Sequence, residues 1–342
     1  MLDTVDLSQT LKKKAYKPVR KAQIERVFEL SEMVYEQKRP VIIVFEGWDA
    51  AGKGTTIRQL TTPLDARGFK VLSTQAPRTH ETRKPWLWRF WMNLPRYGQI
   101  AIYDRSWYGR VLVERVNGLT PLPQWIAAYE EINNFERTLA DDGAIFIKFW
   151  LHISRDEQLR RFMQLATEPE NAWRVTAEDW ENHHKYDEYL AAVRDMLNKT
   201  STAIAPWSIV PATDADVRLY TVFTTIIDRL EMAFALQPTR WPGLDELSNG
   251  DAELEELASK PKKAKAGKKA KKDKPAEEPL QEVAADAPSK KKKKKAKHKL
   301  EEGALDADAR AEMVTETADD VSTEAAATEA AATEAATEAT HA

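Results

Sequence analysis

Val41-Ile42-Ile43-Val44-Phe45-Glu46-Gly47-Trp48-Asp49-Ala50-Ala51-Gly52-Lys53-Gly54-Thr55-Thr56 decides the fold class of this 342-residue chain. An apolar run of β-branched residues reads as a buried strand, and the stretch after Gly52 reads as a helix. Between them lies G-x-x-x-x-G-K, a loop whose glycines let backbone amides approach a polyphosphate while Lys53 neutralises terminal phosphate charge. Gly47, Ala51, Gly52, Gly54 and Thr55 are therefore expected to bind phosphate. Gly54 stands where a magnesium-holding Ser or Thr usually follows the lysine, and Thr55 comes one residue late. A helix turns about 100° per residue, so Thr55 faces elsewhere. Asp49 becomes the candidate metal ligand, because hard cations favour carboxylate oxygen.

Outward from the loop, strands alternate with helices, which implies a parallel sheet in a three-layer α/β fold with right-handed crossovers. Strands are expected at 41–45, 70–74, 99–104, 144–153 and 207–211. Helices are expected at 21–36, 52–66, 85–92, 124–139, 156–165, 177–198 and 214–235. Residues 105–123 show little periodicity and read as a lid. The tryptophan-rich stretch 86–91 reads as core rather than as a platform for bases. His183 and His184 are neighbours on opposite sides of a helix and are not expected to bind metal.

In open parallel sheets ligands gather at the carboxyl ends of the strands. The third strand ends Ile102-Tyr103-Asp104-Arg105, which delivers a carboxylate beside the phosphate loop, so Asp104 is expected to share the metal with Asp49. A helix cap or a salt bridge would be the plain structural use of Asp104. Arg105, Arg110 and Arg115 recur at five-residue spacing and are candidates to spread the charge of a transferring phosphoryl group, with surface ion pairs, for example to Glu114, as the alternative. Arg161 is a candidate from the helix after the fourth strand. Arg78 and Thr79 are placed to meet an acceptor.

Composition bounds the rest. Net charge is −3, and all eleven tryptophans lie at or before Trp241. Residues 1–18 read as an arm, 19–242 as one domain, and 243–342 as a Lys-rich then Ala/Thr/Glu-rich tail too poor in apolar residues to fold. The chain has no cysteine, which excludes disulfides and thiolate chemistry and accords with a cytoplasmic setting. No signal-like or membrane-spanning stretch is expected, so no membrane partner is.

Gly47-Trp48-Asp49-Ala50-Ala51-Gly52-Lys53-Gly54, together with Tyr103-Asp104-Arg105-Ser106-Trp107-Tyr108-Gly109-Arg110-Val111-Leu112-Val113-Glu114-Arg115, resembles the polyphosphate kinase 2 family. The likeness continues through Leu87 to Trp91, Phe149 to Ser154 and Ala205 to Trp207, covering about residues 10 to 238. It implies a thymidylate-kinase-like P-loop kinase fold with a helical lid, in which a glycine after the loop lysine is normal. It implies dependence on Mg²⁺, with Mn²⁺ as a substitute, and phosphoryl transfer between inorganic polyphosphate and a nucleoside mono- or diphosphate. Asp49 and Asp104 would manage the metal, Lys53 and Arg105 would grip phosphate, and Arg110, Glu114 and Arg115 would belong to the lid. The spelling from Asp104 to Val113 is most similar to the polyphosphate:AMP phosphotransferases. A homo-oligomer, dimer or tetramer, is expected, and the Lys-rich tail is available to polyanions. An ATP-dependent nucleoside monophosphate kinase and a non-catalytic polyanion binder stand as alternatives.

Overall fold

The computed structural model describes residues 2–170 and 172–250, so the tail expected beyond residue 250 lies outside the described residues. Five strands, β1 (Val41–Gly47), β2 (Phe69–Ser73), β3 (Ile100–Asp104), β4 (Ile145–His152) and β5 (Trp207–Pro211), form one parallel sheet in the order β2-β3-β1-β4-β5. From β1 the chain moves first toward β2 and then, after β3, returns across β1 to β4. With right-handed crossovers these opposite moves place helices on both faces. Helices α1 (Lys13–Glu36), α2 (Lys53–Thr61) and α10 (Ala215–Ala233) pack together on one side, and α6 (Leu122–Asp141) packs with α9 (Tyr186–Thr200) against β4. Coverage of both faces explains why β1 and β4 are almost continuously apolar, whereas edge strand β2 alternates half-buried and exposed residues.

The expected strands all form, but several helices differ. α1 begins at Lys13, inside the expected arm, and continues through Pro18. Losing one helical hydrogen bond is outweighed there because Tyr16 and Val19 bury against Val217 and Tyr220 of α10. The same cluster takes in Leu247 of α11 (Leu244–Asn249), which lies past Pro242 where the tail was expected to start. The stretch expected as one helix over 177–198 is two, α8 (Ala177–His184) and α9, broken at Lys185. The aromatic helix is a single turn, α4 (Trp88–Trp91), in which only Phe90 is buried. The remaining elements are α3 (Thr79–Thr82), α5 (Val113–Val116) and α7 (Arg155–Thr167). No helix among the described residues is long and apolar enough to cross a membrane.

Residues 105–123 are not a free flap. A 3₁₀ turn over Trp107–Val111 leads into α5, and Trp107, Tyr108, Val111 and Leu112 are buried in the core. Two fully buried charges hold this segment. Lys148 Nζ donates to Glu136 Oε2 (2.7 Å), Tyr108 Oη (2.8 Å) and the Thr200 carbonyl (2.9 Å), while Trp107 and Tyr108 donate to Glu136 Oε1. Aromatic anchors at irregular spacing give no helical or strand period, which is why the segment looks like loop in sequence. Removing one charge strands the other, so Glu136→Leu is expected to cost about 3–5 kcal/mol. Glu136→Leu/Lys148→Met should recover most of that loss, and urea unfolding of the two variants checks it.

Candidate active site

The carboxyl ends of β1 and β3 sit side by side, with the Arg105 amide donating to the Phe45 carbonyl (3.0 Å). This register brings four expected residues together: Asp49, Lys53, Asp104 and Arg105. At Gly47, the last residue of β1, an added Cβ would lie 2.6 Å from the Leu151 carbonyl oxygen, so only glycine fits. The chain then turns through left-handed backbone at Ala50 (φ 59°) and Gly52 (φ 98°) before α2 begins at Lys53. Trp48 anchors the turn by stacking on Tyr186 with centroids 4.1 Å apart and donating its indole N–H to His152 Nδ1 (3.1 Å).

Lys53 is buried and donates to the Gly47 (2.8 Å) and Trp48 (3.0 Å) carbonyls, with Asp49 Oδ1 3.7 Å away. Arg105 donates to the same Asp49 oxygen at 2.7 Å, and Asn182 reaches Oδ2 at 3.5 Å. Burial works to raise the Asp49 pKa, but the Lys53 and Arg105 charges and these hydrogen bonds outweigh it and hold Asp49 below the usual carboxylate range. Arg105, a non-glycine residue at φ 60°, is raised by Asp49, and Lys53 is lowered by burial. A strained residue in such a place is held by its surroundings: buried Trp107 and Tyr108 on one side and Asp49 on the other. The Asp104 carboxylate makes no hydrogen bond or ion pair among the described residues. Among the described residues no group of three or more His, Asp or Glu could hold a metal, and Asp49 and Asp104 have the oxygen chemistry suited to a small hard cation that takes one or two protein carboxylates and leaves its other positions to water and phosphate.

The other expected residues are placed differently. Arg110 pairs with Glu114 (2.8 Å) and Thr120 (2.6 Å) and lies over Trp86, whereas Arg115 pairs with Asp195 (2.7 Å) and Tyr129 and lies over Trp125. The three arginines therefore diverge, and only Arg105 contacts the phosphate loop. Glu114 is the partner of Arg110, not of Arg115. Arg161 donates to Glu157, Ala50, Ala212 and Thr213, so its guanidinium is engaged by protein acceptors behind the loop and is not presented to phosphate. Arg78 and Thr79 open α3 on an exposed stretch and form no hydrogen bond or ion pair with the loop. Thr55 is half-buried, and an added Cβ at Gly54 would meet open space. The next hydroxyl, on Thr56, bonds to the Gly52 carbonyl and accepts from Arg218.

Several neighbours were not foreseen. Glu46, Gln158, Asn182 and Tyr189 join Asp49, Arg105, Gly109, Leu112 and Val113 around a cavity of about 80 Å³. Only Glu46 carried a sequence signal, as an acid inside an apolar strand. It accepts from Ser106 Oγ (2.8 Å), and burial pushes its pKa up to about 7 against the pull of that bond and of Lys53 and Arg105. The fold thus favours protonated Glu46. Its contribution is fully present below the unfolded value of 4.5 and is lost as pH rises through about 7, on the order of 3 kcal/mol. Urea unfolding at pH 5 and pH 8 should show that decline, and Glu46→Gln should flatten it.

The chain matches the family Polyphosphate kinase 2 (PPK2) over residues 10–237. It is 44% identical over 234 residues to a polyphosphate:AMP phosphotransferase of Pseudomonas aeruginosa, covering 68% of this chain and 47% of that protein. It is 37% identical over 207 residues to the AMP/ADP-polyphosphate phosphotransferase of Meiothermus ruber, covering 60% of this chain and 78% of that one. The crystal structure of polyphosphate kinase 2 from Arthrobacter aurescens TC1 superposes with a TM-score of 0.65 at 28% identity, covering 71% and 89% of the two chains. The chain spans about half the length of the first curated relatives it matches. A match of that extent, on the loop and strand end that carry the clustered acids and bases, establishes that this chain belongs to the polyphosphate kinase 2 family.

Proposed function

We propose that this chain transfers a phosphoryl group between inorganic polyphosphate and a nucleotide, with AMP to ADP as the main reaction. The observation that carries it is the 2.7 Å Asp49–Arg105 contact, which joins the phosphate loop to the end of β3 and leaves Lys53 beside both. Names of relatives favour the same acceptor. In the step, an oxygen of the AMP phosphate attacks the terminal phosphorus of the chain. A new P–O bond forms, the bridging P–O bond breaks, and a chain one phosphate shorter leaves as the anion. The attacking oxygen is already ionised near pH 7, so no strong general base is needed. Lys53 and Arg105 compensate the charge spread over the transferring group. Mg²⁺ or Mn²⁺, held by Asp49 and Asp104, would neutralise phosphate charge that two carboxylates otherwise repel.

The same reading has the Lys-rich tail engaging polyanions, the chain assembling as a dimer or tetramer, and the enzyme working in the cytoplasm. Product analysis with polyphosphate, Mg²⁺ and each of AMP, ADP, GMP and GDP tests the acceptor. ADP formed from AMP without ATP is the expected result. Turnover only with ADP or GDP would move the chain to a diphosphate-accepting class. ADP formed from ATP and AMP, with none from polyphosphate, would make it a nucleoside monophosphate kinase.

A further inference from the structure

Every carbonyl of the phosphate loop from Gly47 to Ala51 accepts a hydrogen bond from a side chain. Lys53 takes Gly47 and Trp48, Gln158 Nε2 takes Asp49 (3.3 Å), Arg161 Nη1 takes Ala50 (2.9 Å) and Arg218 Nη1 takes Ala51 (3.4 Å). The last three donors come from outside the loop, from α7 and α10. In a peptide unit C=O and N–H point in opposite directions, so a carbonyl held behind the loop aims its amide forward. The Ala50 and Gly52 amides belong to the units held by Gln158 and Arg218 and donate to no acceptor among the described residues, nor does the Asp49 amide, whose unit is held through the Trp48 carbonyl by Lys53. The Ala51 amide instead closes the turn on the Trp48 carbonyl (3.1 Å).

The donors are themselves fixed. His183 Nδ1 lies 2.8 Å from Gln158 Oε1, which orients the amide so that its NH₂ faces the loop. Arg161 also binds Glu157, Ala212 and Thr213, and Arg218 binds Thr56 Oγ1 (2.9 Å) and Ala212 (3.4 Å). The Ala212 carbonyl therefore ties both guanidinium groups to the turn after β5. Arg218 packs so close that a Cβ on Gly52 would lie 2.8 Å from its Cζ. Two largely buried cations side by side are unfavourable unless the acceptors around them compensate, and here the Glu157 carboxylate and the Ala212 and Thr213 carbonyls do so together with one loop carbonyl for each arginine. Left-handed backbone at Ala50 is the conformation such outside support would maintain.

We propose that Gln158, Arg161 and Arg218 are positioning residues that grip the carbonyl side of the phosphate loop: Gln158 and Arg218 aim the Ala50 and Gly52 amides at a phosphate chain before the chain arrives, and Arg161 fixes the Ala51 unit that closes the turn between them. Arg161 and Arg218 act through the loop and touch no substrate, whereas Gln158 also lines the cavity beside Asp49. The proposal rests on the loop being a phosphate site, as in the proposed function.

The full chain and its Arg161→Lys and Arg218→Lys variants test it, because lysine keeps the charge and loses the planar fork. The readouts are tripolyphosphate affinity by calorimetry, the thermal midpoint without ligand, and kcat and KM for AMP. Tripolyphosphate affinity should weaken about tenfold in each variant, with kcat reduced and KM for AMP unchanged. A lower midpoint with unchanged affinity would make the arginines structural only and overturn the proposal. Native affinity in Arg161→Lys with loss in Arg161→Gln would overturn it in favour of a charge effect alone. Should a lysine variant fail to fold, His183→Phe, which frees the Gln158 amide from its anchor and does not line the cavity, is read the same way. If the native protein binds ADP and not tripolyphosphate, the donor reading falls, and the same affinity ratios taken with ADP decide the positioning role.

Discussion

Lys53→Met is expected to lower kcat/KM for polyphosphate-dependent ADP formation by roughly 10³-fold or more. Lys53 is 9% exposed and bonds the loop's own Gly47 and Trp48 carbonyls, so it sits where an arriving phosphate can draw its ammonium forward by competing for the same donors. Methionine fills much of the same volume and removes only the charge and the donors. Burial already lowers the lysine pKa, so the fold gains little from the charge and the variant should unfold near the wild-type midpoint. Rates from a coupled ADP assay, beside circular dichroism of the same samples, separate the two effects. Activity within tenfold of wild type in a folded Lys53→Met protein would remove the lysine from the mechanism.

Asp49→Asn should be nearly as damaging, at about two to three orders of magnitude in kcat. Asparagine keeps a carbonyl oxygen for Arg105 and the size of the side chain, so the contact between the loop and β3 survives while the charge is lost. Two consequences follow from that charge. In the proposed site the metal would lose one of its two carboxylates, so the Mg²⁺ concentration for half-maximal rate should rise, and Arg105 is freed from its counterion. A Mg²⁺ titration of initial rate is the measurement. An unchanged Mg²⁺ dependence would show that Asp49 serves Arg105 and not the metal. Because Asp49 is held below the usual carboxylate range, its charge persists through neutral pH, and the ratio of variant to wild-type rate should stay flat from mildly acidic pH upward.

The strands, their parallel direction and the cluster of Asp49, Lys53, Asp104 and Arg105 could be read from local pattern. Each depends on residues close in sequence or at a strand end, and buried parallel strands announce themselves as short apolar runs. Helix limits were harder. Pro18 and Pro242 are local signs of an end, yet Tyr16 and Leu247 bury against α10, and that packing overrides both signs. The arginines show the same limit. Arg110, Arg115 and Arg161 look alike in sequence, but while Arg110 takes the local alternative, Glu114 four residues on, the partners of Arg115 and Arg161, Asp195 and the Ala50 carbonyl, are chosen by which elements meet in space.

By itself, then, the sequence determined the phosphate loop, the acid at the end of β3 and the family, because a strand, a tight glycine turn and a helix start are local in the chain. Only the tertiary structure decided which arginine reaches the loop, that the segment after β3 is rooted in the core by Lys148 and Glu136, and that Gln158, Arg161 and Arg218 hold the loop from behind. Those contacts join residues 12 to 167 positions apart, and no periodicity or spacing in the chain encodes such a meeting.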